Sequence, residues 1–322
     1  MSTEPRLPDF FIAGHHKCGT TALYEMLRTH PQIYMPERKE PKFFAADLRQ
    51  RGRRVDTGDP ETLEQYLALF APARRDQRTG EASPTYLWSR SAANEIAQLQ
   101  PDARVIAILR EPAAFLHSLH LHWLLHHVES ERDFHRALAL EPQRRAGRRI
   151  PRRSHWPQAL LYSDQVRYVE QLRRFHKALT PERVLVLIYD DFRADNEATV
   201  RRVLRFLDVE DTAPVRVLEA NPTKVQVRAV RVDAAIRSVY AGRGPLARAV
   251  RAGVRRVASE RVRRETFPAL RRRLVWGSPQ PPDERVVRDV RRRFSGEVEA
   301  LSEYLGRDLV GLWGYDQLGA GR

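Results

Sequence analysis

The hydrophobic residues of this chain follow two alternating patterns over most of its length. Short, continuous apolar runs predict buried β-strands at 10–13, 104–109 and 183–189, and a weaker strand near 80–86. Between these runs, apolar residues recur at helical spacing and predict α-helices at 20–29, 91–99, 113–127, 163–179 and 197–207. Alternation of strands and helices is typical of an α/β domain with a mainly parallel sheet.

The pattern changes after about residue 221, where the strand signal stops and a basic, helical pattern begins. The segment 284–305 predicts a final amphipathic helix. Within the α/β part, the arginine-rich stretch 142–157 has weak periodicity, which predicts a surface insertion or a lid. We therefore expect one domain over 1–322, with an α/β core at about 8–220 and a basic helical extension from there to the end.

The composition favours anionic partners without selecting one kind, because the 322 residues carry a formal net charge of +15. Much of this charge lies between Arg228 and Arg273, where 14 arginines face three acidic residues. The single cysteine, Cys18, excludes an internal disulfide framework. The sequence shows no signal-peptide pattern and no apolar run of the ~18 residues that a membrane span needs. These observations predict a cytoplasmic protein.

The first predicted strand leads into a glycine-rich turn, Gly14-His-His-Lys-Cys-Gly-Thr-Thr21, which opens onto a helical pattern. This arrangement predicts an anion cradle, in which backbone N–H groups and the hydroxyl groups of two threonines hold a phosphate-like group. The spacing of Gly14 and Gly19 matches an ATP-type P-loop. In that motif, however, lysine follows the second glycine, whereas here Thr20 stands there and Lys17 lies inside the loop. At this position Lys17 is suited to neutralise a leaving oxygen.

Two further segments carry groups suited to the same chemistry. Arg110 ends the predicted strand 104–109, and Ser118 follows on the next helix, so the pair can bind a second phosphate at the carboxyl edge of the sheet. Glu40 lies between two lysines and before two aromatic residues. If its carboxylate faces the same edge, it can act as a general base.

These segments resemble, in their order along the chain, the sulfotransferases that use 3′-phosphoadenylyl sulfate, in the branch of heparan-type carbohydrate enzymes and many bacterial relatives. The segment 14–21 is similar to the phosphosulfate loop of that family, and 39–44 to the segment with its catalytic Glu. The segment 80–86 is similar to its Ser/Thr-Pro-x-Tyr segment, and 105–112 with Ser118 to its 3′-phosphate motif. Weaker likeness continues to residue 313, so the resemblance covers nearly the whole chain.

The resemblance implies a P-loop-type three-layer α/β/α domain and an enzyme that transfers a sulfuryl group to an acceptor hydroxyl without a metal. The acceptor would belong to a carbohydrate, a lipid or a secondary metabolite, and the cofactor product would be adenosine 3′,5′-bisphosphate. The implied residues are Glu40 and Lys17 for catalysis; Lys17, Cys18, Gly19, Thr20, Thr21, Ala22, Arg110 and Ser118 for the cofactor; and Lys42, Ser83, Tyr86, His122 and Tyr162 for the substrate cleft.

Four positions depart from the pattern of the family. Phe115 stands where the family often has an arginine, so one contact to the 3′-phosphate is missing or comes from elsewhere. Lys42 and Ala45 replace a histidine and an acid of the heparan-type enzymes, which weakens the transfer of their substrate choice but not the role of Glu40. Cys18 takes the place of a small residue, and we interpret it as a small side chain that fits there.

Two surface features leave more than one interpretation open. Five histidines crowd the helix at 113–127, and they fit a solvated or cleft-lining face, a zinc site, or a base that replaces Glu40. They are His117, His120, His122, His126 and His127. Separately, apolar residues from Leu246 to Val262 repeat among arginines at near-helical spacing. That helix either packs on the domain or binds an anionic membrane surface or a polyanionic acceptor.

Two other functions are compatible with parts of the sequence. The strand at 184–188, followed by Tyr189-Asp190-Asp191, imitates the Walker B strand of a P-loop kinase that uses ATP. A basic module that binds polyanions without catalysis would account for the net charge. We expect a small-molecule or glycan acceptor and no nucleic acid, since no nucleic-acid-binding motif is present.

Overall fold

The computed structural model describes residues 6–48, 58–152, 154, 156–212, 226–227, 276–277 and 281–319. The basic segment between Arg228 and Arg273, with the predicted membrane or packing helix from Leu246 to Val262, lies outside these residues. Its possible roles therefore stay predictions.

Five parallel strands form the central sheet. They are β1 (Phe10–Gly14), β2 (Ile33–Tyr34), β3 (Arg78–Ala82), β4 (Arg104–Leu109) and β5 (Val184–Ile188). Their order is β2-β3-β1-β4-β5, so β1 pairs with β3 on one edge and with β4 on the other. Because all five strands run in the same direction, their carboxyl ends meet at one edge, where open α/β sheets bind ligands.

Helices connect the strands, and further helices come after the last strand of the sheet in the sequence. They are α1 (Thr20–Arg28), α2 (Leu63–Ala68), α3 (Ala92–Leu99), α4 (Pro112–Leu125), α5 (Phe134–Ala139), α6 (Glu141–Arg145), α7 (Tyr162–Gln165), α8 (Tyr168–Ala178), α9 (Tyr189–Ala194), α10 (Asn196–Phe206), α11 (Glu284–Leu305) and α12 (Leu309–Leu312). Short 3₁₀ turns lie at Ala46–Leu48, Pro157–Leu160, Pro181–Arg183 and Asp316–Gly319. The predicted α/β fold with a parallel sheet and a helical C-terminal region is confirmed.

The apolar sequences of the central strands follow from burial on both faces of the sheet, as is usual for parallel strands. Every residue of β1 is buried. On the neighbouring strand β3, Gly80 leaves room for the large ring of Phe10. A Cβ atom at Gly80 would lie 2.2 Å from the Cζ atom of Phe10. Gly80 therefore permits the close pairing of β1 and β3 that places both strand ends at the same edge.

Three details differ from the sequence-based expectations. The predicted helix 163–179 is two helices, α7 and α8, because a tight turn, in which the Tyr168 amide donates to the Val166 carbonyl at 2.7 Å, interrupts it. Strand β2 was not predicted, since two residues carry no periodic signal. The expectation that strands end near residue 221 was wrong, because Gln226–Val227 pairs with Trp276–Gly277 in an antiparallel ladder.

The chain divides into two compact units, which we describe separately. The first unit is drawn from Met1–Phe115, Tyr162–Asn221 and Val287–Arg322, and it contains the five-stranded sheet and α11 from Val287 onward. The second is drawn from Leu116–Leu161 and Pro222–Val286. The prediction of one domain with a boundary near residue 220 is not tested by this division and stays a prediction.

A buried ion pair anchors the predicted insertion 142–157 within the second unit. The guanidinium group of Arg144 binds both carboxylate oxygens of Glu129 at 2.7 Å, and the two side chains are 1% and 0% exposed. Near the end of the insertion, the ring of Trp156 packs edge-on against Trp123 at 5.4 Å. These contacts hold the insertion at both ends, so within the described residues it is an anchored segment, and the predicted lid role has no support of its own.

Across the part of the chain that the structure describes, no helix has both the length and the apolar character needed to cross a membrane.

We predict that Arg144→Ala lowers the free energy of unfolding by about 3–5 kcal/mol, because it leaves a buried carboxylate without its cation. Arg292→Ala is the matched control. Its exposed partner Asp289 lies 3.9 Å away, and loss of such a pair costs about 0–1 kcal/mol. Urea unfolding of both variants measures the difference. Equal losses for the two variants would contradict the role of the buried pair.

Candidate active site

The loop between β1 and α1 is fixed by its two glycines. A Cβ atom at Gly14 would lie 2.5 Å from the Cβ atom of Leu87. The end of β1 therefore packs so close to Leu87 that only glycine fits at this position. Gly19 has a φ of +87°, and a Cβ atom there would lie 2.9 Å from the Phe192 ring. The sequence thus needs glycine at both positions, one for close approach and one for left-handed backbone.

The first turn of α1 follows Gly19 directly. Gly19 is its N-cap, and among the described residues no side chain caps the turn and no acidic residue lies in it. Thr20 and Ala22 are buried, whereas Thr21 is exposed. The free N–H groups of such a turn and the positive end of the helix dipole favour a bound anion.

Two cations meet at this loop. Arg110, at the end of β4, donates from Nη1 to the carbonyl oxygen of Lys17 at 3.1 Å. Burial and the nearby Arg110 charge lower the pKa of Lys17 from its ordinary value. The guanidinium group of Arg110 stacks on the ring of Tyr189 at 4.6 Å. The backbone carbonyl oxygen of Arg110 accepts a hydrogen bond from the hydroxyl of Tyr168 at 2.9 Å. The structure therefore brings Lys17 and Arg110 together.

Buried groups hold the loop from behind. The Nε2 atom of His15 lies 2.6 Å from Oε1 of Gln171, whose amide nitrogen donates to two backbone carbonyls. Because that oxygen can only accept, Nε2 carries the proton. Burial lowers the pKa of His15 to about 4, so the ring is neutral at neutral pH. Phe115 packs on the same ring at 5.1 Å, which shows what this residue does in place of an arginine.

Glu40 lies close to this loop in an unusual backbone conformation. Its amide donates to the carbonyl oxygen of Ala82 at 3.1 Å. Both Glu40 and Lys42 have positive φ, at 60° and 55°, which costs roughly 1–2 kcal/mol for each non-glycine residue. Nζ of Lys39 lies 2.8 Å from one carboxylate oxygen of Glu40, and Nζ of Lys42 lies 3.5 Å from the other. The carboxylate remains 31% exposed.

The charges around Glu40 keep it ionised. Burial alone would raise its pKa, but the charges of Lys39, His16 and Lys42 outweigh burial and hold the pKa at about 2. The stability that these contacts contribute is therefore present above the ordinary pKa near 4.5 and is lost as the pH falls through 2. His16 belongs to the Lys17 loop, and burial lowers its own pKa to about 3, against the opposing charge of Glu40. The loop and the Glu40 segment thus interact electrostatically.

Glu81, in β3, is a functional candidate that the sequence analysis missed. Its carboxylate is buried and accepts hydrogen bonds from three hydroxyl groups: Ser83 at 2.7 Å, Tyr86 at 2.7 Å and Tyr66 at 2.8 Å. Burial raises the pKa of Glu81 to about 7, although these hydrogen bonds favour the ionised form. The available signal was a carboxylate at a strand end, followed at short spacing by Ser and Tyr.

Ser83 and Tyr86 need a correction to their predicted place in the substrate cleft. Both side chains are fully buried, and besides donating to Glu81 they accept backbone N–H groups from the Glu40 segment. Tyr162, on α7, is also fully buried. Lys42 is the member of this predicted set that is partly exposed in the first unit, where it contacts Glu40. Ser83 and Tyr86 therefore contact the Glu40 segment from the protein interior, and the place of Tyr162 in the cleft stays a prediction.

Ser118 and His122 lie on the part of α4 that belongs to the second unit. Ser118 is buried, and His122 is half-buried with its ring 4.3 Å from that of His126. His117 and His120 pack against Phe134, each at 5.4 Å. Within the described ranges, no three His, Cys, Asp or Glu side chains are grouped so that they could hold a metal ion. The roles predicted for Ser118 and His122 stay predictions.

The two aspartates that imitate a Walker B strand are engaged with the C-terminal region. Asp190 accepts a hydrogen bond from Nε1 of Trp313 at 3.0 Å. Both Asp191 oxygens bind the guanidinium group of Arg307, one of them at 2.7 Å, and this lowers the pKa of Asp191. Carboxylates held in this way serve the packing of the chain, which weakens the interpretation as ligands of magnesium.

The C-terminal region also fixes the end of β4. Glu111, next to Arg110, caps α4 by accepting the N–H groups of Ala113 and Ala114 at 3.1 and 2.6 Å. The hydroxyl of Tyr315 donates to the same carboxylate at 2.8 Å, and Nε of Arg291 lies 3.4 Å away. The helical extension therefore holds the strand end that carries the second cation of the site.

This chain is similar in sequence to proteins of a known family. The model of the sulfotransferase family matches residues 8–213. Human carbohydrate sulfotransferase 15 is 31% identical over an alignment of 170 residues, and the match covers 40% of this chain and 29% of that protein. Human heparan sulfate glucosamine 3-O-sulfotransferase 6 is 34% identical over 107 residues, 33% of this chain and 28% of that protein. The chain thus matches less than a third of the length of these curated relatives.

One solved structure is similar in both fold and sequence. A sulfotransferase from Alicyclobacillus acidocaldarius superposes with a TM-score of 0.59 at 27% identity, and the match covers 72% of this chain and 91% of that one.

We predict that Gly19→Ala is more destabilising than Gly306→Ala. Both glycines have positive φ, so each alanine costs roughly 1–2 kcal/mol of backbone strain. At Gly306 the new Cβ atom meets nothing within 4 Å, whereas at Gly19 it displaces the Phe192 ring, which adds roughly 1–3 kcal/mol. Chemical denaturation of the two variants measures this difference, and equal stability would show that the loop tolerates a side chain at its second glycine.

Proposed function

The chain belongs to the sulfotransferase family, and we propose from this premise that it transfers a sulfuryl group from 3′-phosphoadenylyl sulfate to a hydroxyl group of an acceptor. The observation that carries the proposal is the grouping of three charged residues. Arg110 contacts the backbone of the Lys17 loop, and Glu40 interacts with His16 of that loop. An anion cradle, a second cation and a partly exposed carboxylate therefore belong to one compact unit.

The residues present fit the proposed donor. The uncapped first turn of α1, with Gly19, Thr20, Thr21 and Ala22, would hold the phosphosulfate, together with the backbone of Cys18. Arg110 would hold the 3′-phosphate, because a guanidinium group binds phosphate oxygens in a bidentate manner. The participation of Ser118 in the same contact is part of the prediction from the sequence. When bound, the donor supplies the sulfuryl group and a phosphate as leaving group.

The residues of this chain would act by position and charge. Glu40 accepts the proton of the acceptor hydroxyl while the hydroxyl oxygen bonds to sulfur and the bond from sulfur to the phosphate oxygen breaks. Lys17 and the loop N–H groups neutralise the charge that grows on that phosphate oxygen. The neutral His15 and its bond to Gln171 keep the loop in place during this change. The acceptor proton thus ends on Glu40 and the electron pair of the broken bond on phosphate.

The low pKa of Glu40 fits a late proton transfer. A carboxylate with a pKa of about 2 is ionised at neutral pH but is a weak base. The acceptor hydroxyl becomes strongly acidic only as its oxygen bonds to sulfur, and at that stage a weak base suffices. Loss of either lysine contact would make Glu40 a stronger base, so binding of an acceptor that draws Lys39 or Lys42 away would favour the reaction.

We propose a glycan as the acceptor, because two relatives are by name enzymes of carbohydrate and heparan sulfate. Lipids and secondary metabolites remain the alternative acceptors that the sequence left open. The cytoplasmic, bacterial setting and the attachment of the basic C-terminal segment to an anionic membrane surface stay predictions. A P-loop kinase is less well supported, since Lys17 lies inside the loop and Asp190 and Asp191 are bound by other residues.

We predict that Glu40→Gln lowers kcat by roughly 10²- to 10⁴-fold, the usual contribution of a general base. Its affinity for adenosine 3′,5′-bisphosphate should change little, because the fold of the loop does not depend on the Glu40 charge alone. Glu37→Gln is the matched control, since Glu37 is 94% exposed on the same segment. Sulfate transfer to a panel of glycans, read by mass spectrometry, measures the rates. Retained turnover in Glu40→Gln would assign the base to another group, such as a histidine of α4.

We also predict that adenosine 3′,5′-bisphosphate stabilises the protein without magnesium, by about 2.7 kcal/mol at a ligand concentration of 100 Kd. Thermal unfolding measures this effect. Lys17→Met should remove most of it, and Lys177→Met, a change at an exposed lysine of α8, should not. Stronger stabilisation by magnesium and ATP would favour a kinase. Binding that survives Lys17→Met and falls steeply with salt would favour a module that binds polyanions.

A further inference from the structure

The segment that carries Glu40 is strained, and nearby groups must hold it. Two non-glycine residues two positions apart in this segment, Glu40 and Lys42, have left-handed backbone. Such conformations persist where the surrounding structure over-determines them. The contacts that could do so come from the end of β3 and the residues after it.

Two hydroxyl groups bind the backbone of this segment directly. The amide of Lys42 donates to Oγ of Ser83 at 3.1 Å, and the amide of Phe44 donates to the hydroxyl oxygen of Tyr86 at 3.4 Å. A hydroxyl group accepts in a given direction only when its own proton points elsewhere. Both of these protons are donated to Glu81, at 2.7 Å each.

The buried carboxylate therefore sets the direction of both hydroxyl groups. Glu81 has two oxygens, one bound by Ser83 and the other by Tyr86 and Tyr66. As an ionised group it accepts at both oxygens, so each hydroxyl must donate toward it and offer its lone pairs to the segment. This hydrogen-bond network therefore connects β3 with the segment that carries Glu40, the carboxylate that the proposed function uses.

Aromatic packing completes the support. The Phe43 ring stacks on Tyr66 at 4.7 Å, and the Phe44 ring meets Tyr66 and Tyr86 edge-on at 5.2 and 5.8 Å. The rings fix the side of the segment that faces the core, while the hydroxyl groups fix its backbone.

We propose that Glu81 is a positioning residue, which acts through Ser83 and Tyr86 to hold the left-handed Glu40 segment in the geometry needed for catalysis. The proposal rests on the proposed function for its catalytic consequence, but its structural part stands without it. Glu81 is buried, and it works by orienting two hydroxyl groups that bind the backbone of the segment.

The test uses amide hydrogen exchange of the full chain without ligands. Ser83→Ala should accelerate exchange at Lys42, and Tyr86→Phe at Phe44, by at least about tenfold each, because each variant removes the acceptor of one amide. Glu81→Gln should accelerate both. Tyr66→Phe is the matched control, since it removes a hydroxyl from the same carboxylate but has no hydrogen bond to the segment among the contacts of the structure.

A second control separates positioning from general loss of stability. Glu129→Gln disturbs another buried carboxylate, in the second unit, and should leave exchange at Lys42 and Phe44 close to that of the native chain. Equal acceleration in Tyr66→Phe and Tyr86→Phe, or unchanged exchange in Glu81→Gln, would overturn the proposal. If Glu81→Gln does not fold, the two single-hydroxyl variants decide it alone.

Kinetics test the catalytic consequence. A displaced base slows the chemical step more than it weakens binding, so Glu81→Gln should lower kcat by roughly 10- to 100-fold with little change in the KM of the acceptor. Glu81→Asp, which keeps the charge, should recover part of kcat. If the chain transfers no sulfuryl group at all, the proposed function fails, while the exchange results still decide whether Glu81 holds the segment. Normal kcat with accelerated exchange would reject the catalytic consequence.

Discussion

The central place of β1 in the parallel sheet is the constraint on which the site depends. Because β3 pairs with one edge of β1 and β4 with the other, three carboxyl strand ends lie side by side. The Lys17 loop leaves the middle strand, Arg110 ends the strand on one side, and Glu81 lies in the strand on the other. No single strand brings these groups together, since they are far apart in the sequence. The strand order does, and the absence of a side chain at Gly80 permits the close pairing on which it relies.

The carboxylates at this edge differ in what their neighbours make of them. Glu81 is buried and bound by hydroxyl groups, so it stabilises a backbone. Asp191 and Glu111 are bound by side chains of the C-terminal region, so they attach that region to the sheet. Glu40 lies among cations and is partly exposed, so it is ionised and within reach of a ligand. The same functional group thus serves support, attachment and chemistry, and its surroundings decide which.

The sequence was sufficient to predict the strands and helices that have a regular hydrophobic pattern. Runs of apolar residues predicted β1, β4 and β5 to within one residue at each end. In β1 and β4 the runs are continuous because burial on both faces of the sheet excludes polar side chains. The contact between Lys17 and Arg110 followed from strand ends that share one edge. The role of Glu81 did not, since it depends on hydroxyl groups at Ser83 and Tyr86 and on a backbone some 40 residues away in the sequence. Buried polar contacts of this kind leave no periodic trace.

Cys18 gives the loop a property of practical value. It is the single cysteine of the sequence, it is buried, and burial raises the pKa of its thiol to about 12. A thiol in that state is almost unreactive toward alkylating reagents, which attack the thiolate. Alkylation of the native protein would therefore proceed only through moments when the loop leaves its place. The rate of alkylation of Cys18 therefore measures how often the loop opens, without any added probe. A ligand bound in the loop would lower this rate.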